Sequence, residues 1–345
     1  MADRTDPLLN GAVIRSGLDA AAVADALVRW RAGRLVAIPT ETVYGLAAPT
    51  LDANAIGRIY DFKGRPSDNP LIAHVADVEM ARTVVAVWPG EATALAEACW
   101  PGPLTIVLPK AAGVPAIATG GRDSIGVRVP AHHLTLDLLR RFGGPLSAPS
   151  ANRSGSISPT EARHVLADFV DRDLVILDGG PCRVGLESTV LDLRPVRDGG
   201  TPAVLRPGAV SAARIAAILG RPVESPEISG QADAPGTRSS HYAPSTPVRR
   251  CGSDAAGGDE AAVIVIGGTA NDPRPERRSL WRLDLPDDPG LTAGLLYAAL
   301  HAADLSGAER IDIVGPPSDP RWHALEDRVA RAAAPPPRSG EQDRE

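Results

Sequence analysis

Three cysteines in 345 residues, Cys99, Cys182 and Cys251, are too few and too widely spaced for a disulfide framework or a CxxC-based zinc site. Aromatic residues make up 3% of the chain, which leaves few rings on which nucleic-acid bases could stack. Lysine is scarce as well. Of 36 basic residues only Lys63 and Lys110 are lysines, and the rest are arginine. No uninterrupted apolar run reaches the ~18 residues of a membrane span, and the amino terminus, MADRTDPLLNGAV, lacks the apolar stretch of a signal peptide. Neither lysine lies in GxxxxGK[ST] and no GxGxxG occurs, so any phosphate site must use something other than a glycine-rich cradle. These absences lead us to expect a cytoplasmic protein with reduced thiols and no membrane association.

The length suffices for two cores, and 43% hydrophobic residues is ordinary for a folded domain. Residues 1–220 carry 22 basic and 22 acidic side chains and residues 221–345 carry 14 and 20, so no basic block advertises a nucleic-acid groove. In the first part apolar strand patterns (RLVAIP, LIAHV, LTIVL, SIGVRV, PLSA, LVILD, STVLDL, AVLRP) alternate with helical spacing near 18–32, 52–62, 77–86, 91–99, 133–142, 160–169 and 211–219. That alternation predicts a mixed α/β domain over 10–220. Residues 221–247 are rich in Pro, Ser and Gly and read as a linker. Beyond it AAVIVIGG, LTAGLLYAALHAADL, RIDIVGPP and PRWHALEDRVARAA predict a small βαβ-type unit with parallel strands over 248–334. The tail 335–345 has the composition of disorder.

Four stretches concentrate the chemistry: PTETVYGL (39–46), KGRPSDNPL (63–71), SAPSAN (147–152) and ESTVLDL (187–193). Each sets hydroxyl, amide or cationic groups beside an apolar strand pattern, as a pocket for a charged small ligand requires. Lys63 and Arg65 are either a solvated pair or the cations of a phosphate site, where a compact ammonium and a planar guanidinium play different parts. Ser150 and Asn152 sit in a turn tightened by Pro149, Ala148 and Ala151. Arg128, inside GVRVP, needs an anion, supplied by a ligand carboxylate or by an internal Asp or Glu. His74 in LIAHV fits either a satisfied core histidine or a site residue. Ser158 or Thr160 stands near a helix start that can hold phosphate. Glu187 is open between an acid, a pocket wall and a structural acceptor. His132 and His133, being adjacent, diverge and do not suggest a metal.

Seven ordered blocks, PTETVYGLAA, IYDFKGRPSDNPLIAHV, WPGPLTIVL, VRVPAH, SAPSANRSG, ESTVLDL and LRPGA, followed by APGTRSSHYAP, resemble the long, two-domain form of the YrdC-like family of threonylcarbamoyl-AMP synthases. The resemblance implies a twisted mixed sheet with flanking helices, a small Rossmann-like second domain and a linker that folds over a cationic cavity. It implies synthesis of threonylcarbamoyl-AMP from L-threonine, bicarbonate and ATP with release of pyrophosphate. Magnesium accompanies the ATP, and other proteins pass the threonylcarbamoyl group to tRNA, which this chain meets indirectly or weakly. By motif, Thr40, His74, Arg128, Ala148 and Ser188 would surround threonine. Lys63 and Arg65 would be the catalytic cations and, with Ser124, Ser150, Asn152, Ser158 and Arg206, would hold the nucleotide; Lys63 is expected to be exposed in the cavity. Ser239 falls where many relatives carry an aromatic residue, so the linker contact with the nucleotide would be looser or would use Tyr242. The competing expectation is an RNA-binding or ribosome-associated module without adenylate chemistry, disfavoured by the neutral charge of 1–220. A larger carbamoyl-transferring maturation factor would need acylphosphatase and zinc-finger segments, and the cysteine pairs for the latter are missing.

Overall fold

A computed structural model describes residues 11–225, 241–267 and 278–335. Ten strands form the first sheet: β1 (Ala12–Ser16), β2 (Val36–Ile38), β3 (Gly45–Pro49), β4 (Ile72–His74), β5 (Leu104–Pro109), β6 (Ser124–Arg128), β7 (Leu146–Ser147), β8 (Leu174–Asp178), β9 (Thr189–Asp192) and β10 (Ala203–Arg206). They are hydrogen-bonded in the order β1-β8-β2-β3-β7-β4-β6-β5-β9-β10, with parallel and antiparallel pairs mixed. The helices are α1 (Ala20–Arg31), α2 (Ala53–Lys63), α3 (Val78–Arg82), α4 (Gly90–Cys99), α5 (His133–Phe142), α6 (Ala162–Phe169) and α7 (Ala212–Leu219). Apolar residues of α2, α4, α6 and α7 meet β3, β5, β8 and β9 in the main core, while α1 and α5 cover the other face through Trp30, Leu138 and Leu139.

Strand order explains why the four motifs converge. The central neighbours β3, β7, β4, β6, β5 and β9 carry or adjoin all of them except the end of α2. His74 and Arg128 are register partners on the parallel pair β4 and β6, so their side chains stand side by side. Helix α2 is positioned at both ends. Asp52 accepts from the Asn54 and Ala55 amides at its start, and Gly64, at φ +61°, ends it in the left-handed conformation that glycine adopts at least cost. That stop places Lys63 in the last turn and sends Arg65 back toward the sheet.

The second sheet holds β11 (Val248–Arg250), β12 (Gly258–Val265), β13 (Ser279–Asp284) and β14 (Arg310–Val314), all parallel, in the order β11-β14-β12-β13. Helices α8 (Pro289–Asp304) and α9 (His323–Ala332) pack on it. The expected βαβ unit is therefore a larger four-stranded parallel sheet. The added strands VRR and SLWRLD hide because their exposed charged positions interrupt any apolar run. Helix α3 is shorter than the 77–86 pattern suggests, since the chain leaves it before Val85, which forms a bridge with Lys110. Val43, Ile157 and Leu186 of the first unit share one core with Leu296, Tyr297, Leu300 and Leu325 of the second. The tail 336–345 and Ser239 lie outside the described residues.

The interface between the units also carries a stacked histidine pair, His164 of α6 and His301 of α8, with ring centroids 3.9 Å apart. Burial and the His301 and Arg163 charges push His164 down to about 3, and burial likewise pushes His74 and His241 to about 3. A histidine held neutral in the fold favours unfolding wherever the unfolded chain takes the proton, so stability is full above about pH 6.5 and falls as pH drops toward 3. At pH 5 each of the three costs about 2 kcal/mol relative to pH 7. Thermal melts should show most of this loss between pH 6.5 and 5, above the range where carboxylates titrate; a melting temperature flat across that interval would contradict the buried, neutral assignment.

Candidate active site

Between these elements lies a cavity of about 50 Å³ lined by Thr40, Thr42, Arg65, His74, Arg128, Ala148, Ser150, Glu187, Ser188, Arg206, His241 and Tyr242, among others. Drug-sized ligands occupy roughly 300 Å³ or more, so a nucleotide requires the wall to move. His241 and Tyr242, from the end of the linker, form part of that wall. Tyr242 has φ +63°, an uncommon conformation for a bulky residue and one that costs about 1–3 kcal/mol, held here by packing against Tyr297 and Arg328.

The threonine set assembles on one side. Thr40 donates to the Val43 carbonyl at 2.7 Å, which fixes the PTETV turn. His74 Nδ1 meets the Ile72 carbonyl at 3.3 Å, and its ring is neutral because burial and the neighbouring Arg128 charge oppose protonation. Ala148 is small for a reason: a Cβ added at Gly45 would sit 3.0 Å from the Ala148 Cβ, so two small residues let β3 approach the SAPSAN turn. Ser188 Oγ is 2.7 Å from Thr105 Oγ1, and Arg206 donates to the Ser188 carbonyl at 2.9 and 3.1 Å and to its hydroxyl at 3.2 Å.

Arg128 already has an internal anion. Its Nη2 lies 2.7 Å from Glu41 Oε1, Nη1 donates to Thr42 Oγ1 at 2.9 Å and Nε to the Gly102 carbonyl at 3.1 Å. Despite that proximity, Nη2 and both Glu41 oxygens are buried without an aligned hydrogen bond. Of the two partners raised by the sequence, the internal carboxylate is the one present, and the guanidinium also lines the cavity.

The nucleotide set is less uniform. Arg65, Ser150 and Arg206 line the cavity. Arg65 is braced by Asn69, donating to its side-chain and main-chain oxygens at 2.6 and 3.2 Å and to the Pro70 carbonyl at 2.9 Å. Lys63, contrary to the expectation of an exposed ammonium, is 4% exposed and donates to the Ser150 carbonyl at 2.5 Å and to the Asn152 carbonyl. Burial, and next the Arg65 charge, lower its pKa well below the ordinary lysine value. Asn152 ties the turn further by donating to the Arg153 and Ser156 carbonyls, while its Oδ1 is buried without a hydrogen-bond partner. Ser158 donates to Glu187 at 2.6 Å. Ser124 is not brought to this cavity; it borders a separate hollow of about 20 Å³ that shares Pro70, Leu71 and Ile72. The PTETV motif by itself does not reveal the parts played by Glu41, the ion-pair partner of Arg128, and Thr42, whose hydroxyl accepts from it.

Fold and site define a mixed α/β protein with a cavity whose arginines and hydroxyls suit a small anionic ligand. Residues 29–208 match the Sua5/YciO/YrdC family model, described as "Telomere recombination", and residues 210–334 match "Threonylcarbamoyl-AMP synthase, C-terminal domain". The chain belongs to the Sua5/YciO/YrdC family and carries this carboxyl-terminal domain. Threonylcarbamoyl-AMP synthases of Pyrococcus abyssi (strain GE5 / Orsay) and Bacillus subtilis (strain 168) are 48% and 41% identical over 222 and 233 residues, 63% and 66% of this chain. Those matches span 64% and 66% of the relatives' own lengths. A crystal structure of P. abyssi Sua5 complexed with L-threonine is similar with TM-score 0.80 and 37% identity, covering 93% of this chain and 96% of that one. A doubly substituted variant of P. abyssi Sua5 gives TM-score 0.81 at 35% identity, covering 94% and 96%. No helix among the described residues is long and apolar enough to cross a membrane.

Proposed function

We propose that this protein is a cytoplasmic threonylcarbamoyl-AMP synthase, joining L-threonine, bicarbonate and ATP and releasing pyrophosphate. The observation that carries the reading is one cavity in which Arg128, His74, Thr40 and Ser188 stand beside Arg65, Ser150 and Arg206, in a family whose relatives bear that name. Arg128 would take the threonine carboxylate and the small or hydroxyl groups its side chain. The neutral amine of threonine forms a nitrogen–carbon bond with carbon dioxide from bicarbonate, losing a proton. A carbamate oxygen then attacks the α-phosphorus of ATP, and the bond to the β-phosphate oxygen breaks as pyrophosphate leaves.

Arg65 and Arg206 would stabilise charge on the phosphates, where preorganised cations lower the barrier most. Holding the unstable partners together in one cavity would supply much of the catalysis. Among the described residues no three His, Cys, Asp or Glu side chains gather as a metal cage. Magnesium would enter on the triphosphate, whose charge it neutralises.

The product would pass to separate threonylcarbamoyl-transferring proteins that act on tRNA. ATP-dependent pyrophosphate release should require both threonine and bicarbonate and should proceed without RNA. Release that appears only when tRNA is added would overturn the reading in favour of an RNA-dependent module.

A further inference from the structure

Glu187 lines the cavity as a carboxylate beside the place where two anionic substrates would bind, and three donors hold it. One is local, Ser158 Oγ at 2.6 Å. The other two come from the second unit: Tyr297 Oη of α8 at 2.9 Å from Oε2 and Arg328 Nε of α9 also at 2.9 Å. Arg328 is completely buried, pairs with Asp327 at 2.5 Å, donates to the Pro207 carbonyl of the first unit at 3.0 Å and lies over the Tyr242 ring at 5.2 Å. An arginine on the apolar stripe formed by Leu325, Arg328, Val329 and Ala332 needs anionic partners to stay buried, and it has two, Asp327 on its own helix and Glu187 across the interface. Ser188, the next residue in the chain, and Arg206, which donates to the Ser188 carbonyl and hydroxyl, line the same cavity.

We infer that the carboxyl-terminal unit completes the active site through Arg328 and Tyr297, which act as positioning residues: they cancel the Glu187 charge and keep its carboxylate directed away from the anionic substrates. The inference rests on the synthase reading for the identity of those substrates. With Arg328 removed, Glu187 loses its buried ion-pair partner and stands as a less compensated negative charge on the wall of an anion site, held only by the Ser158 and Tyr297 hydroxyls. With both charges removed, the repulsion disappears.

The test compares the full chain with Arg328→Met, Arg328→Met combined with Glu187→Gln, Tyr297→Phe, and Leu305→Ser as a control on the exposed end of α8. Threonine and ATP affinities are measured by calorimetry, together with KM and kcat for pyrophosphate release and with melting temperature. Arg328→Met should weaken ATP and threonine at least tenfold, raising both KM values more than it lowers kcat, and the second substitution should restore most of that affinity. Tyr297→Phe should raise KM severalfold, and Leu305→Ser should match the wild type. If Arg328→Met does not fold, the double variant and Tyr297→Phe decide between the outcomes. Wild-type affinity in a folded Arg328→Met protein, or wild-type KM in Tyr297→Phe when Arg328→Met fails to fold, overturns the inference. A double variant no better than the folded single variant also overturns it. Inactivity of the wild-type chain itself would instead count against the synthase reading.

Discussion

Arg128→Ala is expected to lose threonine binding and several degrees of melting temperature together, and adding Glu41→Gln should separate the two. The single change strands the Glu41 carboxylate, 4% exposed and 2.7 Å from the guanidinium, in a place where neither oxygen has another aligned donor. Breaking one half of a buried pair costs about 3–5 kcal/mol, most of it from the charge left behind. Glu41→Gln removes that charge, so the double variant should recover most of the stability. It should not recover threonine, because the guanidinium that lines the cavity is gone; the expected loss is a factor of about 100, the size of a charge-assisted hydrogen-bonded contact. Calorimetry with threonine on the folded double variant is the decisive arm. Near-wild-type affinity there would mean that Arg128 serves only Glu41.

Lys63→Met should be nearly as damaging, for a reason tied to the SAPSAN turn and not to direct contact with phosphate. The ammonium holds the Ser150 and Asn152 carbonyls, and its main chain accepts from the Ser154 amide at 2.9 Å, so α2 and the turn are fastened at one point. Two buried carbonyls left without a donor cost about 1–3 kcal/mol each. The loosened turn carries Ala148 and Ser150 into the cavity wall, so turnover should fall by about 100-fold, since misplacement by about 1 Å is enough for that. Lys63→Arg should not rescue it, because a planar guanidinium does not occupy the place of a compact ammonium between two carbonyls. Unchanged melting temperature and unchanged turnover in Lys63→Met would refute this role.

Much of the first domain was legible because its strands are apolar runs of four to six residues between turn-forming residues, as in LTIVL and LVILD. The family resemblance rested on ordered motif blocks, and the family and its carboxyl-terminal domain both match. Within the site, Thr40, His74, Arg65, Arg128, Ala148, Ser150, Ser188 and Arg206 line one cavity because strand order brings distant motifs side by side. What stayed hidden depends on partners that sequence spacing does not encode. Whether Arg128 meets Glu41 or a ligand depends on a turn that brings Glu41, far from Arg128 along the chain, within ion-pair reach of it. Lys63 looked exposed because a lysine at a helix end usually is, and only the carbonyls of a remote turn make burial tolerable. Glu187 could not be assigned from ESTVLDL alone, since two of its three donors lie 110 and 141 residues further along. Arg328 on an apolar helix stripe was the one available signal of that link.

The central claim, that one chain joins three small molecules in this cavity, is tested most directly with isotopically labelled bicarbonate. Purified protein incubated with threonine, ATP, magnesium and labelled bicarbonate, without RNA, should yield an adenylate containing threonine and the labelled carbon, which mass spectrometry detects alongside pyrophosphate. Pyrophosphate released without any labelled adenylate, or no consumption of ATP by folded protein, would contradict it.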